Sequence, residues 1–272
     1  MKNFSNQIKQ DFEENGYVII KNFFSKKIIS NAKKEIYFCS KALMNKKNKT
    51  KFSAKNFDFF IKQSLKINPK FSSKFYDISK KFLSMHDFVF NQKTILLAKF
   101  LLKTKNIGIL NRAYGYRMDK PNDRKFLTQL HQDYIQNLGS PEGLVFYNSL
   151  KNVKNVNGPV IIYEGSHKLG LLNTKISKSK FSKSRSYILD ISNSNLKKFK
   201  KVKLLIKEGD LAVFDFLLLH HSSFNHSKEI RWSMVSRFFS FDSQTGKQKM
   251  FPGGLQESNK FEDIHPEKTI LY

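Results

Sequence analysis

The sequence predicts a mainly β protein, a sandwich or jelly roll, with helices in its first third. Three observations carry this expectation. Up to about residue 103 apolar side chains recur at helical spacing; after Gly108 β-branched and aromatic residues become frequent; and turn-forming clusters then separate short apolar runs at regular intervals.

Phe4, Ile8 and Phe12, four residues apart, predict a short amphipathic helix within residues 1–14, ended by Gly16. Tyr17-Val18-Ile19-Ile20 is a compact β-prone run. Ser25 offers an N-cap for a helix over 26–43, in which Ile28, Ile29, Ala32 and Ile36 keep helical spacing. Residues 44–56 are polar and lysine-rich, a loop. From 57 to 103 the pattern is again mostly helical, with Phe75, Ile78, Phe82 and Leu83 on one face and Ile95, Leu96, Phe100 and Leu101 on another.

Even spacing of Leu110, Tyr114, Tyr116 and Met118 marks the first candidate strand, 109–118. The others are 128–133, 144–150, 159–163, 202–206, 211–216 and 232–241. Pro121-Asn122-Asp123, Ser140-Pro141-Glu142-Gly143, Asn157-Gly158-Pro159 and Glu208-Gly209-Asp210 supply turns between them. The Ser-, Lys- and Asn-rich span 168–201, with Tyr187-Ile188-Leu189 as its main apolar run, reads as an excursion over the mouth of a site. One domain, 1–272, is expected: a mainly helical part, 1–105, packed on a jelly-roll core, 106–245, with a C-terminal tail, 246–272.

With 40% hydrophobic residues and 27 Phe among 272, the chain can bury a substantial core. Nothing approaches an uninterrupted apolar run of membrane-spanning length, and Met1-Lys2-Asn3-Phe4-Ser5-Asn6-Gln7 lacks the apolar centre of a signal peptide. A soluble, cytoplasmic protein with no membrane partner is expected. The lone cysteine, Cys39, cannot close an internal disulfide and excludes a cysteine-based metal site. A formal net charge of +27 invites a nucleic-acid reading, because clustered Lys and Arg displace counterions from phosphates. The lysines are instead scattered beside Asn, Ile and Phe, as in Lys46-Lys47-Asn48-Lys49 and Lys197-Lys198-Phe199-Lys200-Lys201. That mixture matches a bias toward A/T-rich codons with solvated lysines, and no nucleic-acid partner is expected. What survives is a positive field that would draw in an anionic small molecule.

The chemistry gathers in two remote stretches. In His131-Gln132-Asp133 a histidine and a carboxylate are separated by one residue, which on an extended strand puts both on the same side. A second histidine from His220-His221-Ser222-Ser223-Phe224-Asn225 would complete two imidazoles and one carboxylate, the set that suits non-haem Fe(II) and leaves open coordination positions. An isolated His-x-Asp is weak evidence, but two features agree with it. The apolar run 211–219 ends in His220, at the rim of a buried sheet, where a ligand is held rigidly and still meets solvent. Arg231, eleven positions beyond His220, suits a charge-assisted pair with a carboxylate whose other end chelates the metal. The other histidines have blander readings: His86, His226 and His265 show no partner spacing, and His167 fits a turn better than a ligand set.

On these residues the sequence resembles the phytanoyl-CoA dioxygenase family of Fe(II)- and 2-oxoglutarate-dependent oxygenases. Phe12-Glu13-Glu14-Asn15-Gly16-Tyr17-Val18-Ile19-Ile20 looks like the family's opening helix and strand, His131-Gln132-Asp133 like its first ligand pair, and Asn157-Gly158-Pro159 through Gly165-Ser166-His167 like its central turn. The most specific match is His220-x-Ser222-x-x-Asn225-x-Ser227-x-x-x-Arg231.

The resemblance implies a double-stranded β-helix, the cupin-like jelly roll, flanked by N-terminal helices. It implies His131, Asp133 and His220 as metal ligands and catalytic set, with Ser222 and Arg231 on the 2-oxoglutarate carboxylate. Only His220, and not its neighbour His221, places Ser222, Asn225 and Arg231 at the family's offsets, and strand alternation turns the two imidazoles opposite ways. The implied reaction consumes dioxygen and 2-oxoglutarate, releases succinate and CO2, and hydroxylates an unactivated C–H bond of a small organic substrate. Asp133 bears on the outcome, since relatives that halogenate lack this carboxylate. Tyr147 stands where many relatives carry tryptophan, so it is a candidate wall of the cosubstrate pocket; Glu164 stands where proline is frequent. Gln129 and Arg117 are further pocket candidates, against the plain reading of solvent-facing strand residues, and Arg124 and Lys125 are weaker candidates for meeting an anionic substrate. The competing reading from another class is a non-catalytic jelly-roll ligand-binding protein.

Overall fold

Two serine caps and a glycine set out the first elements. Ser5 accepts from the Ile8 N–H to open α1 (Asn6–Asn15), and Gly16, at φ 78°, closes it by donating to the Phe12 carbonyl. β1 (Tyr17–Ile20) follows, and Ser25 caps α2 (Lys26–Leu43) through the Ile28 N–H. The computed structural model in which these contacts are seen describes residues 4–44, 50–110, 114–124, 127–178, 185–254 and 258–270. Residues 45–49 of the expected loop lie outside that range.

α3 (Phe59–Ile67), α4 (Phe71–Ser79), α5 (Leu83–Val89) and α6 (Gln92–Leu102) complete the helical part. Their faces differ in detail from the expected ones. Phe75 and Phe82 are buried, but Leu83 is 78% exposed, because Phe82 is the N-cap of α5 and the helical register restarts there. In α6 the buried series is Thr94, Leu97, Ala98 and Leu101, with Ile95, Leu96 and Phe100 on its flanks.

The strands are β2 (Ile107–Ile109), β3 (Gly115–Asp119), β4 (Gly143–Ser149), β5 (Val160–Tyr163), β6 (Thr174–Lys178), β7 (Arg185–Leu189), β8 (Lys201–Lys203), β9 (Leu211–Asp215), β10 (His220–Ser222), β11 (Arg231–Ser240) and β12 (Thr269–Ile270). The larger sheet is antiparallel and runs β1-β9-β4-β11; the far edge of β11 is shared by β3 along its first half and β2 along its end. The smaller runs β8-β5-β10 and is extended by a bridge between His131 and His220. Their inner faces pack together, Val145, Tyr147 and Phe214 against Val160, Ile162 and Leu219. This is the jelly roll, mainly β with helices outside it. A third small sheet, β12-β6-β7, joins the tail to the 174–189 region.

Alternation divides the larger sheet between two cores. Leu144, Phe146, Leu211, Val213, Trp232, Met234 and Phe238 face the helices, among Ile36, Phe60, Phe75 and Leu97. Trp232 has no exposed surface; its ring centroid lies 5.6 Å from that of Phe57 and 5.7 Å from that of Phe75, and its indole N–H donates to Asp58 Oδ2 at 3.0 Å. The alternate residues of the same strands face the smaller sheet.

Two expectations need correction, and two others gain detail. The strand over 109–118 is two strands, β2 and β3, with 111–113 outside the described residues. The strand over 128–133 does not form: only His131 is bridged, and Asp133 has helical angles, φ −63° and ψ −32°, at the start of a short helix, α7 (Tyr134–Asn137). The 168–201 span contains β6 and β7 as an antiparallel pair, with Tyr187 and Leu189 of β7 buried. The tail is docked, with Phe261 and His265 buried and β12 paired to β6. No described helix is long and apolar enough to cross a membrane.

Candidate active site

Between the two sheets, His131, Asp133 and His220 each bring a donor atom to within 4.8 Å of the others, and the two imidazole centroids are 4.1 Å apart. Strand alternation from 131 to 133 does not cause this. His131 and His220 exchange backbone N–H···O bonds at 3.1 and 3.2 Å, so their side chains are a cross-strand pair on one face. Asp133 reaches the same point from the residue before α7. Gln132, fully buried between them, points elsewhere: its amide donates to the Gly170 and Leu217 carbonyls, both at 2.8 Å, and accepts from the Leu172 N–H at 3.0 Å. It pegs the loop that carries both ligands.

Each imidazole is aimed by its Nδ1, which donates to a carbonyl two residues back: Gln129 O at 2.8 Å for His131 and Leu218 O at 2.9 Å for His220. The proton is thereby assigned to Nδ1, and Nε2 is left as the ligand nitrogen. Burial, then the neighbouring His220, push His131 down to about 3. A neutral imidazole is the form a metal takes.

The Asp133 carboxylate has oxygens with different surroundings. Oδ1 accepts from Arg237 Nε at 2.7 Å and Asn137 Nδ2 at 2.9 Å; Oδ2, 3.2 Å from His220 Nε2, has no hydrogen-bond donor among the described residues. Burial opposes its charge, but the Arg237 guanidinium holds it well below the usual carboxylate range. A buried carboxylate oxygen without a donor, between two ligand nitrogens, is an arrangement that a divalent cation would satisfy.

Across the cavity, Arg231 opens β11 and is 3% exposed. Its Nη1 donates to the Tyr147 hydroxyl, its Nη2 lies 2.8 Å from Asp119 Oδ2 out of hydrogen-bond alignment, and its Nε has no partner among the described residues. Ser222, two residues past His220 and so on the same face of β10, lines the same cavity and accepts from Arg117 Nη2 at 3.3 Å. Arg117 also donates to Thr128 and holds Asp119 through Nε and Nη2. Asn225 serves the backbone: its amide donates to the Asp119 and Glu229 carbonyls at 2.8 Å and accepts from Ser227, which locks the turn leading into Arg231. Gly158, at φ +71°, lies beneath this turn, where a Cβ would come within 2.5 Å of the Ser223 carbonyl.

His131, Asp133, His220, Ser222, Tyr147 and Arg231 therefore line one cavity, with Arg117. Gln129 does not: its side chain is exposed, it contributes only the carbonyl that aims His131, and Thr128 lines the cavity in its place. The reason is the missing strand, without which residue parity loses its meaning. His221 also borders the cavity, but its ring sits 6.0 Å from Tyr163 and it is not part of the trio formed by His131, Asp133 and His220; His167 is bonded to the Glu13 carbonyl in the last turn of α1. Arg124 is exposed, over the Phe224 ring at 5.4 Å, and Lys125 lies outside the described residues.

Sequence reasoning misses two residues. Arg237 follows Arg231 by six positions, an even number that puts both on one face of a strand, and that spacing is a signal the sequence does carry. His265 accepts from the Tyr134 hydroxyl and donates to Glu267, both at 2.8 Å, so the tail braces the residue next to Asp133. Tyr134 is 131 positions away, and no local spacing marks the pair.

A jelly roll with two imidazoles and a carboxylate on one inner face, opposite a buried arginine, is a cupin-like scaffold shaped to hold a non-haem metal ion. The family model for phytanoyl-CoA dioxygenase (PhyH) matches residues 12–233, and the chain belongs to that family. No curated protein sequence matches the chain. Among solved structures, EctD from S. alaskensis with bound Fe is similar with a TM-score of 0.63 and 15% identity, over 88% of this chain and 78% of that one. The epimerase SnoN, in complex with Fe3+, alpha ketoglutarate and nogalamycin RO, gives 0.60 and 12%, over 86% and 83%. AviO1 from Streptomyces viridochromogenes Tue57 gives 0.58 and 15%, over 88% and 96%. At such identities the likeness is one of fold.

Proposed function

We propose that this protein is an Fe(II)- and 2-oxoglutarate-dependent dioxygenase, a single domain acting in the cytoplasm, that hydroxylates an unactivated C–H bond of a small, anionic organic substrate. The observation that carries the reading is Asp133 Oδ2, buried without a donor beside His220 Nε2 and close to His131. His131, Asp133 and His220 would hold the metal, whose chemistry when bound is to couple decarboxylation of 2-oxoglutarate by dioxygen to oxidation of the substrate. Arg231 and Ser222 would hold the far carboxylate of 2-oxoglutarate, with Tyr147 fixing the guanidinium. Val145, Val160, Phe214 and Val235 wall the cavity and limit water. Retention of Asp133 favours hydroxylation over chemistry that needs a vacated ligand position. Three guanidiniums, Arg117, Arg231 and Arg237, face two carboxylates, Asp119 and Asp133, which supports an anionic substrate.

Calorimetry with Mn(II), followed by 2-oxoglutarate, tests the reading without turnover. Uptake of the metal and then of the keto acid is expected, together with Fe(II)-dependent succinate release in an activity assay. A jelly roll that merely binds ligands has no reason to take up the keto acid. Failure of the metal-loaded protein to bind 2-oxoglutarate would favour that alternative.

A further inference from the structure

Arg237 sits where strand register aims it at a metal-ligating residue. It shares the inner face of β11 with Arg231 and lies opposite Val145 on β4. Its Nε donates to Asp133 Oδ1 at 2.7 Å, with the arginine side chain 22% exposed and the aspartate 2%. Charge-assisted contacts that are largely shielded from water are strong and directional. Asn137 Nδ2 also reaches Oδ1 at 2.9 Å, but it bonds the Asp133 main-chain carbonyl at 2.6 Å and belongs to the same helical turn. Arg237 grips the carboxylate from the opposing sheet, alone among the described residues.

We propose that Arg237 is a positioning residue: by engaging Oδ1 it makes Asp133 present a single oxygen, Oδ2, to the metal. The inference rests on reading His131, Asp133 and His220 as a metal site. A carboxylate free to turn about its Cβ–Cγ bond can offer either oxygen or both, and chelation through both takes up space that a bidentate keto acid needs. Fixing one oxygen to a guanidinium removes that choice before any ion arrives. Hydrogen-bond partners of metal ligands typically contribute about 10- to 100-fold in metal affinity.

Two variants separate orientation from charge. Gln Nε2 occupies the place of Arg Nε, so Arg237→Gln keeps the donor and loses the charge, whereas Arg237→Leu loses both. Calorimetry with Mn(II) alone is expected to show about tenfold or weaker binding in Arg237→Leu and binding within about threefold of the parent in Arg237→Gln. Thermal unfolding of each variant confirms that folded protein is compared, and Arg237→Met, which keeps the stem, replaces the leucine variant if that one does not fold. Parent-like affinity without the donor overturns the proposal, and so does equal weakening in Arg237→Gln, which would make charge the operative property. A parent protein that takes up no Mn(II) removes the metal site itself, an outcome distinct from either.

Discussion

Neighbouring residues of β11 do opposite work. Trp232, Met234 and Phe238 are apolar and buried against the helices, where each Å2 of apolar surface removed from water contributes about 25 cal/mol. Arg231 and Ser233, on the other face, are as thoroughly buried, and Arg237 is partly buried, its side chain 22% exposed. Burying a guanidinium costs several kcal/mol unless charged partners compensate it. The helix face makes the strand stable; the cavity face is tolerated because Asp119 and Asp133 stand against its guanidiniums. Mutations should therefore separate the two faces cleanly.

The largest effect is expected for His220→Ala, which should abolish Mn(II) uptake and bring succinate release to background while the protein stays folded. Turnover in that variant would leave the cavity face without a metal to serve and break the contrast. Next, Trp232→Ala should destabilise the fold by about 3–5 kcal/mol in denaturant titration, with Mn(II) affinity unchanged for the molecules that remain folded. Arg231→Ala should weaken 2-oxoglutarate binding by about 2–3 kcal/mol, or roughly 30- to 150-fold, and leave Mn(II) binding alone. Equal loss of both ligands would contradict its placement. The smallest effect is expected for Tyr147→Phe, which removes the acceptor for Arg231 Nη1; about 1 kcal/mol in 2-oxoglutarate affinity, measured by the same titration, would define how much that brace contributes.

Features encoded by neighbouring residues are legible in the amino-acid sequence. Ser5 and Ser25 cap the helices expected of them, and the runs rich in apolar residues near 144–150, 211–216 and 232–241 form β4, β9 and β11. The candidate ligand trio is legible for a less direct reason. Its spacing suggests a strand over 128–133, whereas the histidines meet by backbone pairing and Asp133 arrives on a helical turn. The same assumption of parity misplaces Gln129. Arg237 and His265 are harder to recognise because their meaning lies in partners 104 and 131 positions away, at distances that no periodicity spans.

The pairing of His131 with His220 has a mechanical side. Beyond β10 the smaller sheet is tied to the segment 128–131 by the Ser222 N–H to Thr128 carbonyl bond and by the two backbone hydrogen bonds that the histidines exchange. An ion gripped by both imidazoles would rivet that seam. Loading the site and stiffening the sheet's open margin would then be one equilibrium, visible as slower amide exchange at His131 and Ser222 when Mn(II) is added.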